Sequence, residues 1–293
     1  MEIGNWSATQ DLNAIYRELR DLGLETNVAE LEAFGFTVVR NALSPQVTDR
    51  LREAVLREAE RRFDRSFDLA DETDLAGWTL IPYLLCRDPI FEEALLNPGP
   101  LALVTYLVGN SCLLSSLTSH FKGPGGEAIP LHADNSNGAP PPMPPYSQVC
   151  NCNYALTDYR EELGSFAVVP GSHRLARKPT PHEAALHGPD RNPQAIPLEV
   201  PAGSAIVYHG NTWHGSFRRD APGLRINLSM FFCRQYIATQ EIYKNRVPDE
   251  ILQRHRDNDR FMTLIGERTY YGWTEEGPDR NFADYRAGIS WHA

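Results

Sequence analysis

His132 and Asp134, in Leu131-His-Ala-Asp134, stand two positions apart at the end of a short apolar run. Strand side chains alternate between faces, so an imidazole and a carboxylate at i and i+2 project into the same space. Such a pair can begin a mononuclear non-haem Fe(II) site, which takes two histidines and one carboxylate and keeps positions open for co-substrate and O2. His214, in Trp213-His-Gly-Ser216, is the candidate third ligand. His209, five residues earlier, competes for that place, but only His214 precedes an arginine by eleven positions within a Trp-His-Gly-Ser context. That arginine is Arg225, in Gly223-Leu-Arg-Ile-Asn-Leu-Ser229. An arginine inside an otherwise apolar strand requires an anion, because a buried, unpaired guanidinium is strongly destabilising. The distal carboxylate of 2-oxoglutarate would satisfy it bidentately. Ser216, two residues beyond His214 on the same strand face, would add a hydroxyl. The alternative is an internal salt bridge from Arg225 to an acidic side chain.

These residues need a scaffold that brings positions 132 and 214 together. From Cys112 onward, short apolar or alternating runs are punctuated by Gly, Pro, Asn and Asp: 112–121, 129–134, 147–156, 165–170, 196–200, 204–209, 213–218 and 224–233. Short strands with turn signals between them predict a β-sandwich or jelly roll rather than alternating βα units. Ahead of them, residues 8–33 carry Leu12, Ile15, Leu19 and Leu22 at helical spacing, and 34–40 reads as a strand. Ser44 as N-cap and Pro45 at the first helical position open a helix that runs to Phe63. Another helix is expected from about Ile90 to Val108, ending at Gly109. The helices should buttress one face of the β-structure. Residues 236–293 return to a helical segment, 248–265, and an aromatic, charged tail. Nothing divides the chain, so the expected organisation is one α+β domain over 1–293: a helical buttress at 8–110, a jelly-roll core at about 112–235, and the C-terminal segment.

Four motifs carry a further signal: Leu-His-Ala-Asp (131–134), Gly-Ser-Phe-Ala-Val-Val-Pro-Gly-Ser-His-Arg (164–174), Trp-His-Gly-Ser (213–216) and Arg225. With the Gly35-Phe-Thr-Val-Val region they resemble the phytanoyl-CoA dioxygenase family of Fe(II)/2-oxoglutarate-dependent oxygenases. The resemblance covers most of residues 30–235, and the Pro-Gly-Ser-His block is its most family-specific part. It implies a double-stranded β-helix of cupin-like, jelly-roll type with helices behind the major sheet. It also implies iron held by His132, Asp134 and His214, and 2-oxoglutarate held by Arg225 and Ser216, with Thr118 on an earlier strand. The implied reaction couples decarboxylation of 2-oxoglutarate, to succinate and CO2, with O2-dependent oxidation of a C–H bond. Asp134 retains the carboxylate that halogenases of the superfamily replace with a small residue, which favours hydroxylation; desaturation, epoxidation and ring formation use the same triad. Asn153 stands where the best-known member has a tryptophan beside the co-substrate, so Asn153 becomes a candidate substrate contact. Trp213, next to a ligand, is a second candidate, against a place in the wall of the core.

Composition limits the partners. Lys+Arg number 28 against 38 Asp+Glu, and a net charge of −10 repels polyanions, which argues against nucleic acid. It also suits a small, specialised metabolite better than an anionic CoA thioester, although Arg174, Arg177 and Lys178 offer a local basic patch. With no apolar run of about 18 residues to span a bilayer and no leader-like features in Met1–Gln10, a cytoplasmic protein without membrane attachment is expected. The 5 cysteines, 86, 112, 150, 152 and 233, suit reduced, buried thiols better than disulfides. Of 22 prolines, the densest run, Gly138–Pro145, directly follows the metal motif. It reads as a stiff loop, either at the substrate entrance or as a plain surface connection. Tyr236, Tyr243, Tyr270, Tyr271 and Trp273 are candidates for an aromatic lid; His173 suits a turn, and His120, His182 and His187 read as ordinary polar positions. Two other classes stay open: a jelly-roll metalloenzyme without 2-oxoglutarate, which would not need Arg225, and a non-catalytic binding module, which would not need the triad. Substrate identity and oligomeric state are not legible.

Overall fold

The computed structural model describes residues 7–73, 75, 78–137 and 139–268, together with a two-stranded ribbon at 273–274 and 277–278. Tyr270, Tyr271 and the side chain of Trp273 lie outside the described residues. Two helices, α1 (Ser7–Asp21) and α2 (Glu25–Phe34), replace the single stretch expected over 8–33. Gly23 separates them at φ +68, a left-handed conformation that favours glycine. After β1 (Phe36–Val39), α3 (Pro45–Phe63) begins as its start signal predicts, with Ser44 Oγ accepting from Val47 N at 3.3 Å. β2 (Trp78–Ile81) was not expected. The region 90–108 is split into α4 (Pro89–Leu95) and α5 (Pro98–Val108), because Pro98 can open a helix but not continue one.

The predicted strand-like runs become β3 (Leu113–Lys122), β4 (Ile129–His132), β5 (Val149–Ala155), β6 (Phe166–Val168), β7 (Ile196–Leu198), β8 (Ala205–His209), β9 (His214–Ser216) and β10 (Arg225–Cys233). α6 (Asp249–Arg254) and α7 (Asp259–Leu264) divide the final helical segment. A six-stranded antiparallel sheet, β1-β8-β5-β10-β3-β2, and a four-stranded one, β4-β9-β6-β7, form the jelly roll.

Alternation assigns the layers. Along β10, Ile226, Leu228, Met230 and Phe232 join the main core with Leu51 and Val55 of α3 and Leu103 of α5. Arg225, Asn227, Ser229 and Phe231 turn the other way, into a cavity. β5 repeats the division, with Cys150, Cys152 and Tyr154 in the core and Asn151 and Asn153 on the cavity side. All the cysteines are free thiols, and four of them are buried. Between the sheets, Tyr159, Phe166, Val168, Leu198, Ile206 and Tyr208 pack together and close one end. Behind the smaller sheet, Leu131, Met143, Trp213 and Phe217 form another cluster. Among the described residues no helix is long and apolar enough to cross a membrane.

β4 and β9 pair with Ile129 opposite Ser216 and His132 opposite His214. Gly215 permits the approach: a Cβ there would lie 2.2 Å from Ile129 O and 3.0 Å from Pro130 O. Backbone oxygens cannot swing aside as a flexible side chain does. Gly215→Ala should therefore cost on the order of 1–3 kcal/mol and lower the melting temperature by several degrees. A calorimetric melting temperature equal to wild type would show that the two strands do not depend on this glycine.

Candidate active site

β4 ends at His132, and the chain passes into a short 3-10 turn, Asp134–Asn137. Strand alternation therefore does not bring Asp134 beside His132, as the spacing suggested; the turn does, and two asparagines hold it. Asn151 Nδ2 donates to Asp134 Oδ2 at 2.7 Å. Asn135 Nδ2 donates to Asn211 Oδ1 at 2.6 Å, and its Oδ1 accepts from Gln148 N and Val149 N, both at 3.2 Å. The candidate ligand atoms of His132, Asp134 and His214 all lie within 4.8 Å of one another.

Both imidazoles are oriented by the same device. Nδ1 of His132 is 2.9 Å from Pro130 O, and Nδ1 of His214 is 2.9 Å from Thr212 O. A carbonyl oxygen only accepts, so each Nδ1 carries a proton and each Nε2 is the nitrogen left to face a metal. These Nε2 atoms stand 3.8 and 3.6 Å from the Asp134 carboxylate oxygens, beyond hydrogen-bond distance. Burial pushes His214 down to about 4 against the opposing pull of Asp134, which leaves the ring neutral at neutral pH. Two imidazole nitrogens and a carboxylate facing one point are a donor set that fits a divalent iron.

A cavity of about 410 Å³ lies beside the triad, between the sheets. Thr118 and His120 of β3, Asn151 and Asn153 of β5, Tyr208 of β8 and the polar residues of β10 line it. Hydrogen bonds link them across four strands. Asn153 Nδ2 donates to Tyr208 OH at 3.1 Å, Asn227 Nδ2 to Asn153 Oδ1 at 3.2 Å, and His120 N to Asn227 Oδ1 at 2.8 Å. Arg225 is the exception: its Nε is buried with no hydrogen-bond partner among the described residues, and its guanidinium carbon lies 5.3 Å from the Tyr159 ring centroid. The internal salt bridge considered above is not formed among the described residues. An anion in the cavity would answer that orphaned group. Ser216 lines the same cavity, and its Oγ accepts from Lys122 Nζ at 2.6 Å.

The profile of the phytanoyl-CoA dioxygenase (PhyH) family matches residues 31–226. The chain belongs to this family. It is 31% identical over 134 residues to the dioxygenase af480 of Aspergillus fumigatus, an alignment that covers 46% of this chain and 41% of that protein. The chain thus spans about two fifths of that curated relative's length. The crystal structure of HygX from Streptomyces hygroscopicus with nickel and 2-oxoglutarate superposes with a TM-score of 0.58 at 18% identity, over 73% of this chain and 88% of HygX. HygX has also been seen with hygromycin B bound. SnoK, a 2-oxoglutarate-dependent carbocyclase from nogalamycin biosynthesis, superposes at 0.53 and 18% identity, over 72% of this chain and 83% of SnoK. At such identities the likeness is one of fold.

In this PhyH member the triad, Arg225, Ser216, Thr118 and Asn153 all line one cavity. Trp213 does not, which corrects its place among the substrate candidates. Its neighbour His214 faces inward, so alternation turns Trp213 outward, where its ring is buried behind the smaller sheet and its Nε1 donates to Arg177 O at 2.8 Å. His209 lies against His173, ring centroids 5.6 Å apart, and outside the candidate metal group. His120, read as an ordinary polar position, lines the cavity. Of residues 139–145, none lines it; Ala139 borders an adjoining cavity that shares Asp134, Phe231 and Gln240, and Met143 is buried behind the smaller sheet. The proline run therefore flanks the site.

Sequence reasoning also missed Tyr208, Asn151, Asn227, Lys122 and Gln240. Asn151 had a signal, since amides alternate with thiols in Cys150-Asn-Cys-Asn153. Gln240 had none. It reaches the cavity because the buried Glu241 carboxylate accepts from Leu117 N at 2.9 Å, Tyr83 N at 2.6 Å and the Tyr243 hydroxyl, pinning this segment to β3. Tyr243 is accordingly a strut, not a lid residue. The Asn151 bond makes a testable claim: Asn151→Ala should weaken Ni(II) or Fe(II) binding on the order of 10- to 100-fold. Calorimetric titration reads this directly, and wild-type affinity would show that Asp134 is aimed by something else.

Proposed function

We propose that this chain is an Fe(II)- and 2-oxoglutarate-dependent dioxygenase that oxidises a C–H bond of a small metabolite, chiefly by hydroxylation, with release of succinate and CO2. Residues 1–293 act as one oxygenase unit in this reading. One observation carries it: two imidazole nitrogens and a carboxylate converge in the same cavity as a guanidinium whose buried Nε has no hydrogen-bond partner among the described residues. His132, Asp134 and His214 would hold the iron. Arg225 and Ser216 would hold the distal carboxylate of 2-oxoglutarate, with Thr118 beside it. Bound iron and co-substrate would supply the activation of O2 for C–H oxidation.

The chain's own residues bind, orient and exclude water. Phe166 stacks on His214 at 5.5 Å between ring centroids and shields its inner face. Arg225 fixes the co-substrate at one end of β10, and Phe231 lies six residues along the same strand, roughly 20 Å away at a strand's rise. The substrate binds towards that second end, where Ser116, Phe231 and Gln240 line the cavity. Arg225 supplies the cationic charge of that lining among the described residues, while Arg177 is held by Glu183 at 2.7 and 2.8 Å and Arg174 donates to Glu32 O. With Arg174 and Arg177 so engaged, a neutral, polar metabolite suits the site better than a polyphosphorylated thioester. HygX with hygromycin B is a parallel for a small-molecule substrate. Asp134 occupies the position that a halide would need, which supports hydroxylation. An enzyme without 2-oxoglutarate would leave Arg225 unexplained, and a non-catalytic module would leave the triad unexplained.

Anaerobic addition of Fe(II) and 2-oxoglutarate should produce the weak visible charge-transfer band of the chelate. Arg225→Ala should weaken co-substrate binding by about 3 kcal/mol, on the order of a hundredfold. Absence of the band together with absence of calorimetric 2-oxoglutarate binding would defeat the assignment. His132→Ala and Asp134→Ala should each abolish 2-oxoglutarate-dependent succinate formation while circular dichroism shows an intact fold. Full turnover in either would mean that other residues hold the metal.

A further inference from the structure

Lys122 is the last residue of β3 and is fully buried. Alternation puts it on the same strand face as Thr118 and His120, and it is the register partner of Arg225. Two basic residues thus stand side by side on the strands, Arg225 lining the cavity and Lys122 buried behind Ser216, which lines it. Lys122 Nζ donates to Ser216 Oγ at 2.6 Å and to Phe217 O at 2.7 Å, both uncharged acceptors. A neutral amine has two N–H bonds, and these acceptors satisfy both. The stem is confined as well, since a Cβ on Gly164 would lie 2.9 Å from Lys122 Cδ.

So placed, the lysine governs what Ser216 can do. With Nζ donating to its oxygen, the Ser216 hydroxyl must point its own proton elsewhere, and the cavity is the side on which Ser216 is open. We propose, on the reading that Arg225 holds 2-oxoglutarate, that Lys122 is a positioning residue for the distal carboxylate of that co-substrate. It turns the Ser216 proton into the cavity and takes up one proton from solvent at Nζ as the carboxylate arrives beside it.

The electrostatics agree with this geometry. Burial, and then the neighbouring Arg225 guanidinium, push Lys122 down to about 6, with Glu127 acting the other way. Above that pH the amine is mainly uncharged before binding; an arriving anion favours the ammonium form and raises its pKa. Binding then takes up a proton, and affinity declines as the pH rises above about 6. The charged and titratable groups that face Lys122 are Arg225 of β10, Arg219 after β9, Glu127 after β3 and His120 of β3, which burial holds down to about 4.

Calorimetry of 2-oxoglutarate binding to the Ni(II)-loaded protein, repeated in buffers of different ionisation enthalpy, reads affinity and proton uptake without turnover. Wild type should take up close to one proton per 2-oxoglutarate at about pH 7.5. Lys122→Met should bind about tenfold more weakly with no uptake, and adding Ser216→Ala should weaken it no further. Lys122→Gln keeps a donor for Ser216 but cannot titrate, so it should recover part of the affinity and none of the uptake. Undiminished affinity and uptake in Lys122→Met would overturn the proposal. So would an equal loss of Ni(II) affinity, which marks a merely structural role. Normal 2-oxoglutarate binding by Arg225→Ala would instead defeat the placement of the co-substrate, whereas a loss there with none in Lys122→Met would confine the failure to Lys122.

Discussion

Backbone pairing between β4 and β9 sets His132 directly across from His214, so the separation of the two imidazoles is decided by a strand ladder rather than by side-chain packing. Their ring centroids lie 4.3 Å apart. Each ring is then turned by a carbonyl two residues away in its own chain, Pro130 O for His132 and Thr212 O for His214. The orientation of the donors is therefore local, and only their meeting is long-range. Asp134 is the converse case. Its position follows from the local turn, while its direction depends on Asn151, seventeen residues further along. The three groups reach one point through different physical devices, each with its own point of failure.

The larger sheet separates stability from chemistry by its pleat. One face carries Leu228, Met230, Cys152 and Val207 into the helix-backed core, where burial of apolar surface holds the fold. The opposite face carries asparagines, serine, tyrosine and arginine into the cavity. A polar inner face would weaken an ordinary sandwich, but here the amides satisfy one another across β8, β5, β10 and β3, so little hydrogen-bonding capacity is left orphaned. The network also limits side-chain freedom in the lining, which favours a cavity whose shape is set before a ligand enters.

What was legible in the sequence follows from range. Strand runs with turn signals, the Ser44-Pro45 helix start and the His-x-Asp, Trp-His-Gly-Ser and Arg225 motifs are patterns a few residues long; the runs and the helix start form as expected, and His132, Asp134, His214, Ser216 and Arg225 line one cavity, although Asp134 reaches it through a turn rather than along a strand. Helix breaks were harder to read, because Gly23 and Pro98 interrupt stretches whose apolar periodicity continues across them. Trp213 was open between the wall of the core and a substrate contact because the side to which it turns depends on which neighbour faces inward; it lies in the core behind the smaller sheet. Lys122 looks like the polar end of a strand; its burial depends on Ser216 and Phe217, more than ninety residues away. Gln240 lies beyond the last strand of the jelly roll and reaches the cavity through the carboxylate of Glu241. These roles arise from tertiary contacts, to which no short window of sequence has access.

An acidic chain that buries Arg225 beside Lys122 meets an electrostatic conflict that an all-arginine or all-lysine pair would resolve less well. Arginine cannot shed its proton under ordinary conditions, so Arg225 is a permanent attraction for an anion and a permanent liability without one. Lysine can shed its proton, and burial beside a guanidinium favours its doing so. The pair therefore carries one fixed charge and one conditional charge. Before binding, the conditional charge is suppressed and the repulsion between the two side chains with it. When a carboxylate enters, the same lysine becomes a second source of attraction. The −10 formal charge of the chain acts at longer range, through solvent and salt; within the cavity, the pairing of a residue that must be charged with one that need not be is what reconciles an empty site with an anionic ligand.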